Sequence, residues 1–287
     1  MKIAVSSYSF AQYIKAGKLT QLSCVKAAHD LGIDAVDFID LAPEDGMSQI
    51  EYAKRIREEA DKLGVEVVGY TIGANICTGD DDRDAKEIER LCGQLDIAKI
   101  LGASILRHDV CYHLFPGKGR SFEYMLPIIS KNARAVTEYG EKLGIKTCVE
   151  NHGHIVQDSD RVCKLIETVH HDNFGMLVDV GNFACADEDS AYAVSRTAQY
   201  AFHVHVKDFY KRPFLEGKAD GYFQTRGCNY LKGAVIGEGE IPVKQCLAIL
   251  KKAGYDGALT IEYEGAEDCI ESIKRGAENL RKYIAEI

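Results

Sequence analysis

The sequence predicts an α/β protein that folds over residues 1–287 as a single (β/α)8 barrel. A chain of 287 residues is typical of one such barrel, and a hydrophobic content of 46% supplies a large core. Helical and β-rich segments alternate along the whole chain, which is the order that a parallel barrel requires. A doubly wound open sheet is the structural alternative, but no GxGxxG or phosphate-loop motif follows the first strand.

Five segments repeat one pattern, in which an amphipathic helical run ends at a glycine and a short β-rich run follows. The left-handed conformation that closes a helix suits these glycines, which are Gly32, Gly64, Gly102, Gly144 and Gly254. The apolar runs after them predict parallel strands that are covered on both faces. KIAVSSYS, FGMLVDVGN and YAFHVHVKDF supply three further strands, so the predicted count reaches eight.

The composition indicates which binding partners are disfavoured and in which cellular compartment the protein is expected. A net charge of -9 and a pI near 5.5 argue against binding to nucleic acid or to an anionic membrane surface, because both require a basic face. No apolar stretch approaches the roughly 20 residues of a membrane span, and MKIAVSSYSF is typical of a strand rather than a signal peptide. Ten scattered cysteines without a CxxC pair predict reduced packing residues. The sequence therefore predicts a cytoplasmic protein.

Metal-ligating side chains lie at the predicted ends of four consecutive strands. The fifth strand ends at Glu150, the sixth at Asp179, the seventh at His203 and His205, and the eighth at Glu262. The carboxyl ends of barrel strands share one face, and His205 lies nearer that face than His203. Each residue alone has an ordinary structural explanation, but several buried carboxylates without a cation would repel one another. The set therefore predicts one divalent ion, with Mn²⁺, Co²⁺, Mg²⁺ and Zn²⁺ all compatible.

Several motifs resemble the xylose-isomerase-like TIM barrels of sugar isomerases and epimerases, the ketose 3-epimerases in particular. They are ENHG at 150–153, LVDVGN at 177–182, HVHVKD at 203–208, IGEGEI at 236–241 and GYDGALTIEYEG at 254–265. The resemblance implies that Glu150, Asp179, His205 and Glu262 hold one divalent metal, for which Mn²⁺ is the first expectation. It also implies that Glu150 and Glu262 are catalytic and move a proton next to a sugar carbonyl through an enediolate.

The resemblance leaves the reaction open between two enzyme classes. Return of the proton to a carbon gives a sugar isomerase or epimerase, which is the leading prediction. Loss of a β-substituent gives a lyase instead, which would dehydrate a keto-sugar or inosose or cleave a 3-keto-glycoside. A nuclease of the same superfamily is disfavoured by the charge of -9. A catalytically silent barrel that only binds a sugar is a further alternative.

Other polar residues are predicted around the metal. The predicted substrate contacts are His152, Asn182, Arg107, His108 and Arg226, and Asp208 is predicted to orient a metal ligand from behind. Many relatives carry a histidine where this chain has Asn182. Residues 209–240, which include Arg226, are predicted as a long irregular lid, with unstructured decoration as the alternative. Lys118 and Arg120 in a GKG loop are weak evidence for a phosphate site.

The predicted partner is a small-molecule sugar or sugar derivative. The resemblance also implies a possible homo-oligomer, and a second type of subunit that completes the site is an alternative.

Overall fold

The computed structural model describes residues 1–44, 46–115 and 121–287. Eight parallel strands close into a barrel in the order β1-β11-β7-β6-β5-β4-β3-β2, which confirms the predicted fold. The barrel strands are β1 (Lys2–Ser6), β2 (Ala35–Ile39), β3 (Glu66–Ile72), β4 (Ile105–His108), β5 (Lys146–Glu150), β6 (Phe174–Asp179), β7 (Ala201–Val206) and β11 (Ala258–Ile261).

Helices cover the outside of the barrel. Those in the described residues are α1 (Ala11–Lys15), α2 (Gln21–Asp30), α3 (Gln49–Leu63), α4 (Asp81–Leu101), α5 (Phe122–Leu143), α6 (Ser159–Val169), α7 (Ser190–Thr197), α8 (Val243–Lys252) and α9 (Cys269–Glu286). Side-chain oxygens of Ser48, Asp80 and Asp158 accept backbone N–H groups at the starts of α3, α4 and α6. The five glycines of the repeated pattern all have positive φ, between 66° and 92°, as predicted.

Apolar side chains at helical spacing attach these helices to the barrel. Met125, Ile129, Ala133 and Val136 lie on one face of α5 and are fully buried. All six residues of β6 are buried, as a strand covered on both faces requires. This packing holds the strand ends in fixed positions, and those ends carry the polar residues of the site.

Part of the segment after β7 is folded, so the prediction of a wholly irregular lid is wrong for three short strands within it. β8 (Asp208–Arg212), β9 (Phe223–Gln224) and β10 (Tyr230–Ala234) form an antiparallel sheet in the order β8-β10-β9. β8 pairs with β10 over its whole length, from Asp208 opposite Ala234 to Arg212 opposite Tyr230. Buried Phe209 and Leu231 attach this sheet to the barrel core. The backbone groups of these three segments are therefore satisfied by strand pairing.

The cysteines behave as packing residues. All ten are free thiols, and seven of them are buried. Burial raises the pKa of Cys24 and of Cys246 to about 12, so neither is a thiolate at neutral pH. Among the described residues, no helix has the length and apolar character needed to cross a membrane.

Candidate active site

The structure brings the four predicted ligands together at the carboxyl end of the barrel. Glu150 and Asp179 are the last residues of β5 and β6, His205 lies near the end of β7, and Glu262 follows β11 directly. Strand register places Asp179 opposite His205, and Thr260 is opposite His205 on the other side. Each residue offers one ligand atom within 4.8 Å of the others. Three carboxylate oxygens and one imidazole nitrogen are a donor set that suits a divalent ion.

Two buried atoms of this cluster lack a hydrogen-bond partner within the described protein. Asp179 Oδ1 accepts the N–H groups of Gly181 and Asn182, whereas Oδ2 and His205 Nδ1 make no hydrogen bond and have only longer ion-pair contacts, with Lys207 at 3.3 Å and with Glu262 at 3.5 Å. Burial raises the pKa of Asp179 to about 7, although Lys207 acts in the opposite direction. A cation between these atoms would satisfy both of them and favour the carboxylate form. The residues therefore fit a divalent metal.

Lys207 is an unpredicted part of the site. Its Nζ lies 2.6 Å from Glu262 Oε2 and 3.3 Å from Asp179 Oδ2, and its side chain is only 6% exposed. Burial opposes the charged form of Glu262, but Lys207 and His205 outweigh it and hold the pKa of Glu262 well below its usual range. An ammonium group thus contacts two of the four predicted ligands, and sequence reasoning gave it no role.

Asp37 is a second residue that sequence reasoning missed. It lies in β2, is completely buried, and its Oδ2 is 2.8 Å from His203 Nε2 and 3.1 Å from His205 Nε2. A carboxylate only accepts hydrogen bonds, so both imidazoles present an Nε2–H to it. His205 is thereby left with Nδ1 facing Glu262, at 3.5 Å from Oε1. An aspartate inside the apolar run AVDFI was the available signal.

Gly69 of β3 makes room for Asp37. A Cβ on Gly69 would lie 2.7 Å from Asp37 Oδ2, which is too close for a real contact. The strand register shifts at the same place, between Val36 and Asp37. A local irregularity of the barrel therefore accommodates the carboxylate that orients the two histidines.

A cavity of about 270 Å³ opens beside the cluster and is lined mostly by charged side chains. Arg107 lines it and binds two carboxylates, with Nε 2.9 Å from Glu150 Oε2 and Nη2 2.7 Å from Asp109 Oδ1. His152 also lines it, and its Nδ1 lies 2.9 Å from Asp109 Oδ1. Burial alone would lower the pKa of His152, but the contact with Asp109 raises it. Arg107 and His152 are thus placed to touch a bound molecule.

Asn182 and His108, two of the predicted substrate contacts, are absent from the lining of this cavity. Asn182 is buried and donates from Nδ2 to Glu150 Oε1, at 2.9 Å. His108 is fully buried and packs near Phe174, with ring centroids 6.3 Å apart. Adjacent strand residues point to opposite faces, so the inward direction of Arg107 turns His108 toward the helices. The structure therefore places His108 outside this cavity, and Asn182 contacts Glu150.

Arg226 and Asp208 have structural contacts in place of the predicted ones. Arg226 lies outside the cavity lining and binds Asp158 Oδ2 at 2.8 Å and the carbonyl oxygen of His154 at 2.6 Å, which ties the β8–β10 sheet to the loop after β5. Asp208 accepts backbone N–H groups, including those of Gly237 and Ile241, and contacts none of the four predicted ligands. Lys118 and Arg120 lie outside the described residues.

Comparison with protein families agrees with this geometry. The profile of the xylose isomerase-like TIM barrel family matches residues 25–283. The chain belongs to this family. Proteins are assigned to this family by their sequence and fold, and one fold can host several reactions. Similarity to individual proteins therefore indicates which kinds of reaction to consider.

Similar proteins include both lyases and epimerases. An inosose dehydratase of Clostridium perfringens is 25% identical over 174 residues, which are 60% of this chain and 58% of that relative. The match thus spans less than two thirds of that relative's length. The IOLI protein, solved with a zinc atom, is 16% identical with a TM-score of 0.78, covering 100% of this chain and 99% of that one. D-psicose 3-epimerase from Clostridium cellulolyticum H10, solved with D-tagatose, is 15% identical with a TM-score of 0.77, covering 99% of both chains.

Proposed function

We propose that this protein is a divalent-metal-dependent sugar isomerase or epimerase that removes a proton next to a carbonyl group. One observation carries the proposal: Glu150 and Glu262 line the same small cavity, and both belong to a cluster of four metal-ligating side chains. The membership of the family and the epimerase among its structural neighbours support the same class of chemistry.

Glu150, Asp179, His205 and Glu262 would hold the metal. A divalent ion, when bound there, would polarise the substrate carbonyl and make the neighbouring proton more acidic. The donor set is compatible with Mn²⁺, Co²⁺, Mg²⁺ or Zn²⁺, and zinc is the ion in the IOLI structure. The protein's own contribution is to orient two carboxylates toward the same carbon atom.

The two carboxylates approach the cavity from different directions. β6 and β7 separate β5, which ends at Glu150, from β11, which precedes Glu262. Arg107 and Asn182 each bind one oxygen of Glu150 and fix its direction, while Lys207 and His205 do the same for Glu262. In this proposal one carboxylate removes the proton next to the carbonyl group. The other carboxylate returns a proton to the opposite face of the same carbon in an epimerase. In an isomerase the proton returns to the neighbouring carbon.

A lyase is the second candidate, and two observations favour it. The first is the similarity to an inosose dehydratase. The second is that His152 and Lys207 line the cavity beside the carboxylates, where either could give a proton to a departing hydroxyl group. This reaction would begin with the same proton removal and end with loss of water.

Mass spectrometry in D₂O separates the two candidates. Metal-loaded protein would be incubated with a panel of ketoses, keto-sugars and inososes. An isomerase or epimerase incorporates one deuteron into an isomeric sugar, whereas a dehydratase gives a product lighter by one water. Glu150→Gln and Glu262→Gln should each reduce the exchange rate by at least about a hundredfold, because each removes a carboxylate that moves the proton.

Glu264→Gln is the matched control, because Glu264 lines the same cavity but lies outside the four-residue cluster. We expect this variant to keep its metal. Exchange that persists in both glutamine variants, or after complete removal of metal, would refute the proposed function.

A further inference from the structure

A second cavity adjoins the charged one at the same end of the barrel. Its volume is about 490 Å³, and it lies between α1, the start of α2 and the loop after β2. We name it the α1 cavity, after the helix that forms one wall. Its apolar lining comes from Ala11, Ile14, Leu19, Ile39 and Ala42. Ile39 is the last residue of β2, and the other four belong to loops or elements that follow β1 and β2 on the catalytic face.

Several polar side chains of the α1 cavity are bound to the protein itself, although the charged Lys15 and Glu44 also line it. Gln21 donates to the carbonyl oxygen of Asp40 and accepts the N–H of Ala42. Ser7 accepts the N–H of Ile39, and Asp40 accepts the N–H of Gly73. Gln21 and Ser7 are thus engaged within the protein, so this part of the wall offers a ligand mainly apolar contact.

The two cavities share part of their walls. Tyr8, Ile39 and Asp40 line both of them, so they form the boundary between a charged chamber and an apolar one. The charged cavity of about 270 Å³ contains the proposed catalytic carboxylates. A molecule with one polar and one apolar part would therefore fill both chambers at once, with its polar part at Glu150 and Glu262.

We infer that the substrate is a sugar-like carbonyl compound that carries an apolar substituent, such as an aryl group, and that the α1 cavity binds this substituent. The inference rests on the proposed function for the position of the sugar part. Binding energy from the apolar part would position the reacting carbon against the two carboxylates. A substrate without the substituent would leave the α1 cavity filled with water and would bind more weakly.

Calorimetric binding of two probes tests this inference on the full chain loaded with Mn²⁺. The probes are phenyl β-D-glucoside and methyl β-D-glucoside, which differ in the apolar substituent. We expect the phenyl probe to bind about tenfold more tightly or better, because burial of a phenyl ring is worth at least that factor. Equal affinities would overturn the inference.

Variants of Ala42 locate the effect in the α1 cavity. Ala42 is exposed, so the protein should accept either a charged or an apolar side chain at this position. Ala42→Glu places a carboxylate in the apolar chamber and should bring the ratio of the two affinities close to one. Ala42→Leu is the matched control and should preserve the ratio. Ile14→Ser provides a second test of the same wall if Ala42→Glu folds poorly.

The D₂O exchange assay keeps this inference separate from the proposed function. Exchange with unsubstituted sugars, combined with equal binding of the two probes, would sustain the function and overturn the apolar subsite. A clear preference for the phenyl probe without exchange on any carbonyl sugar would sustain the subsite and overturn the function. Absence of both exchange and binding would overturn the two together.

Discussion

At the scale of single residues, Asp37 orients two histidines at once. Its Oδ2 accepts from both His203 and His205, and no part of its side chain reaches solvent. Burial opposes the ionised form, but the two histidines outweigh it and lower the pKa of Asp37. A carboxylate that binds one nitrogen of an imidazole determines that the other nitrogen is free to bind a metal. The affinity of the site thus depends on a residue that does not touch the proposed ion.

Asp37→Asn should weaken metal binding while the barrel still folds. The amide has nearly the same shape as the carboxylate but lacks its charge, so it holds the imidazoles less firmly. We expect the dissociation constant for Zn²⁺ or Mn²⁺ to rise about 10- to 100-fold. Calorimetric titration of the apoprotein measures this directly. The control is Asp34→Asn, which changes an exposed aspartate just before β2. Equal affinities in the two variants would contradict the role assigned to Asp37.

The residue scale also shows where sequence reasoning stops. The strand ends were predictable, because the apolar runs of β5, β6, β7 and β11 end visibly at polar residues. Side-chain direction was harder, since one step along a strand reverses the face. Arg107 lines the cavity, whereas its neighbour His108 does not. Asp37 was missed because it lies in the middle of a strand and meets its histidines from across the barrel.

At the scale of elements, the connection between β7 and α8 depends on Asp208. This carboxylate accepts the N–H groups of Phe209, Gly237, Gly239 and Ile241. It therefore fastens the start of β8 to the turn that follows β10. The motif HVHVKD was correctly placed at the end of a strand, but the function of its last residue is to hold a turn rather than a metal ligand.

Asp208→Ala should destabilise the protein without changing the metal site. Buried backbone N–H groups would lose their acceptor, and we expect the free energy of unfolding to fall by about 2–3 kcal/mol. Urea denaturation measures this change, with Asp220→Ala as the control on an exposed position of the same segment. Metal affinity of the folded variant should stay close to that of the wild type. A large loss of affinity at unchanged stability would favour the original prediction that Asp208 supports a ligand.

The β8–β10 sheet was not predictable as a sheet. The two strand sequences, DFYKR and YLKGA, are short. The residues between them are rich in glycine and charged side chains, as is typical of an irregular loop. Contacts that are distant in sequence accompany the pairing of the two strands, such as the hydrogen bond from Asn229, just before β10, to Asp187. Local pattern carries little information about such pairs.

At the scale of the whole molecule, the predicted metal site joins four strands of one barrel. Glu150, Asp179, His205 and Glu262 come from or directly follow β5, β6, β7 and β11, which are consecutive around the barrel. An ion bound by all four would exist only in the folded protein, so its binding energy would add to the stability of the closed barrel.

Saturating metal should therefore raise the melting temperature. At a free concentration about 100 times the dissociation constant, the gain is about 2.7 kcal/mol, which corresponds to a shift of about 4–5 °C for a protein of this size. Differential scanning calorimetry before and after chelation measures the shift. His205→Ala should abolish it, whereas Glu264→Gln should retain it. An equal shift in His205→Ala and wild type would place the bound metal elsewhere.

The fold itself was the most predictable feature at this scale, because five segments repeat one local pattern and three further apolar runs complete the set of eight strands. Barrel closure follows once every strand has two parallel neighbours. The two adjoining cavities were not predictable, since their shape depends on the loops after β1 and β2 and on how those loops pack.

Closure of the ring has a consequence for the order of events during synthesis. β11 is the last barrel strand to leave the ribosome, and it lies between β1, the first, and β7. Until it arrives, β1 and β7 each present an open edge that can pair with a neighbouring chain. Glu262 arrives with it, so a nascent chain can hold only three of the four ligands. Premature termination before β11 would thus produce an aggregation-prone polypeptide that also lacks a complete metal site.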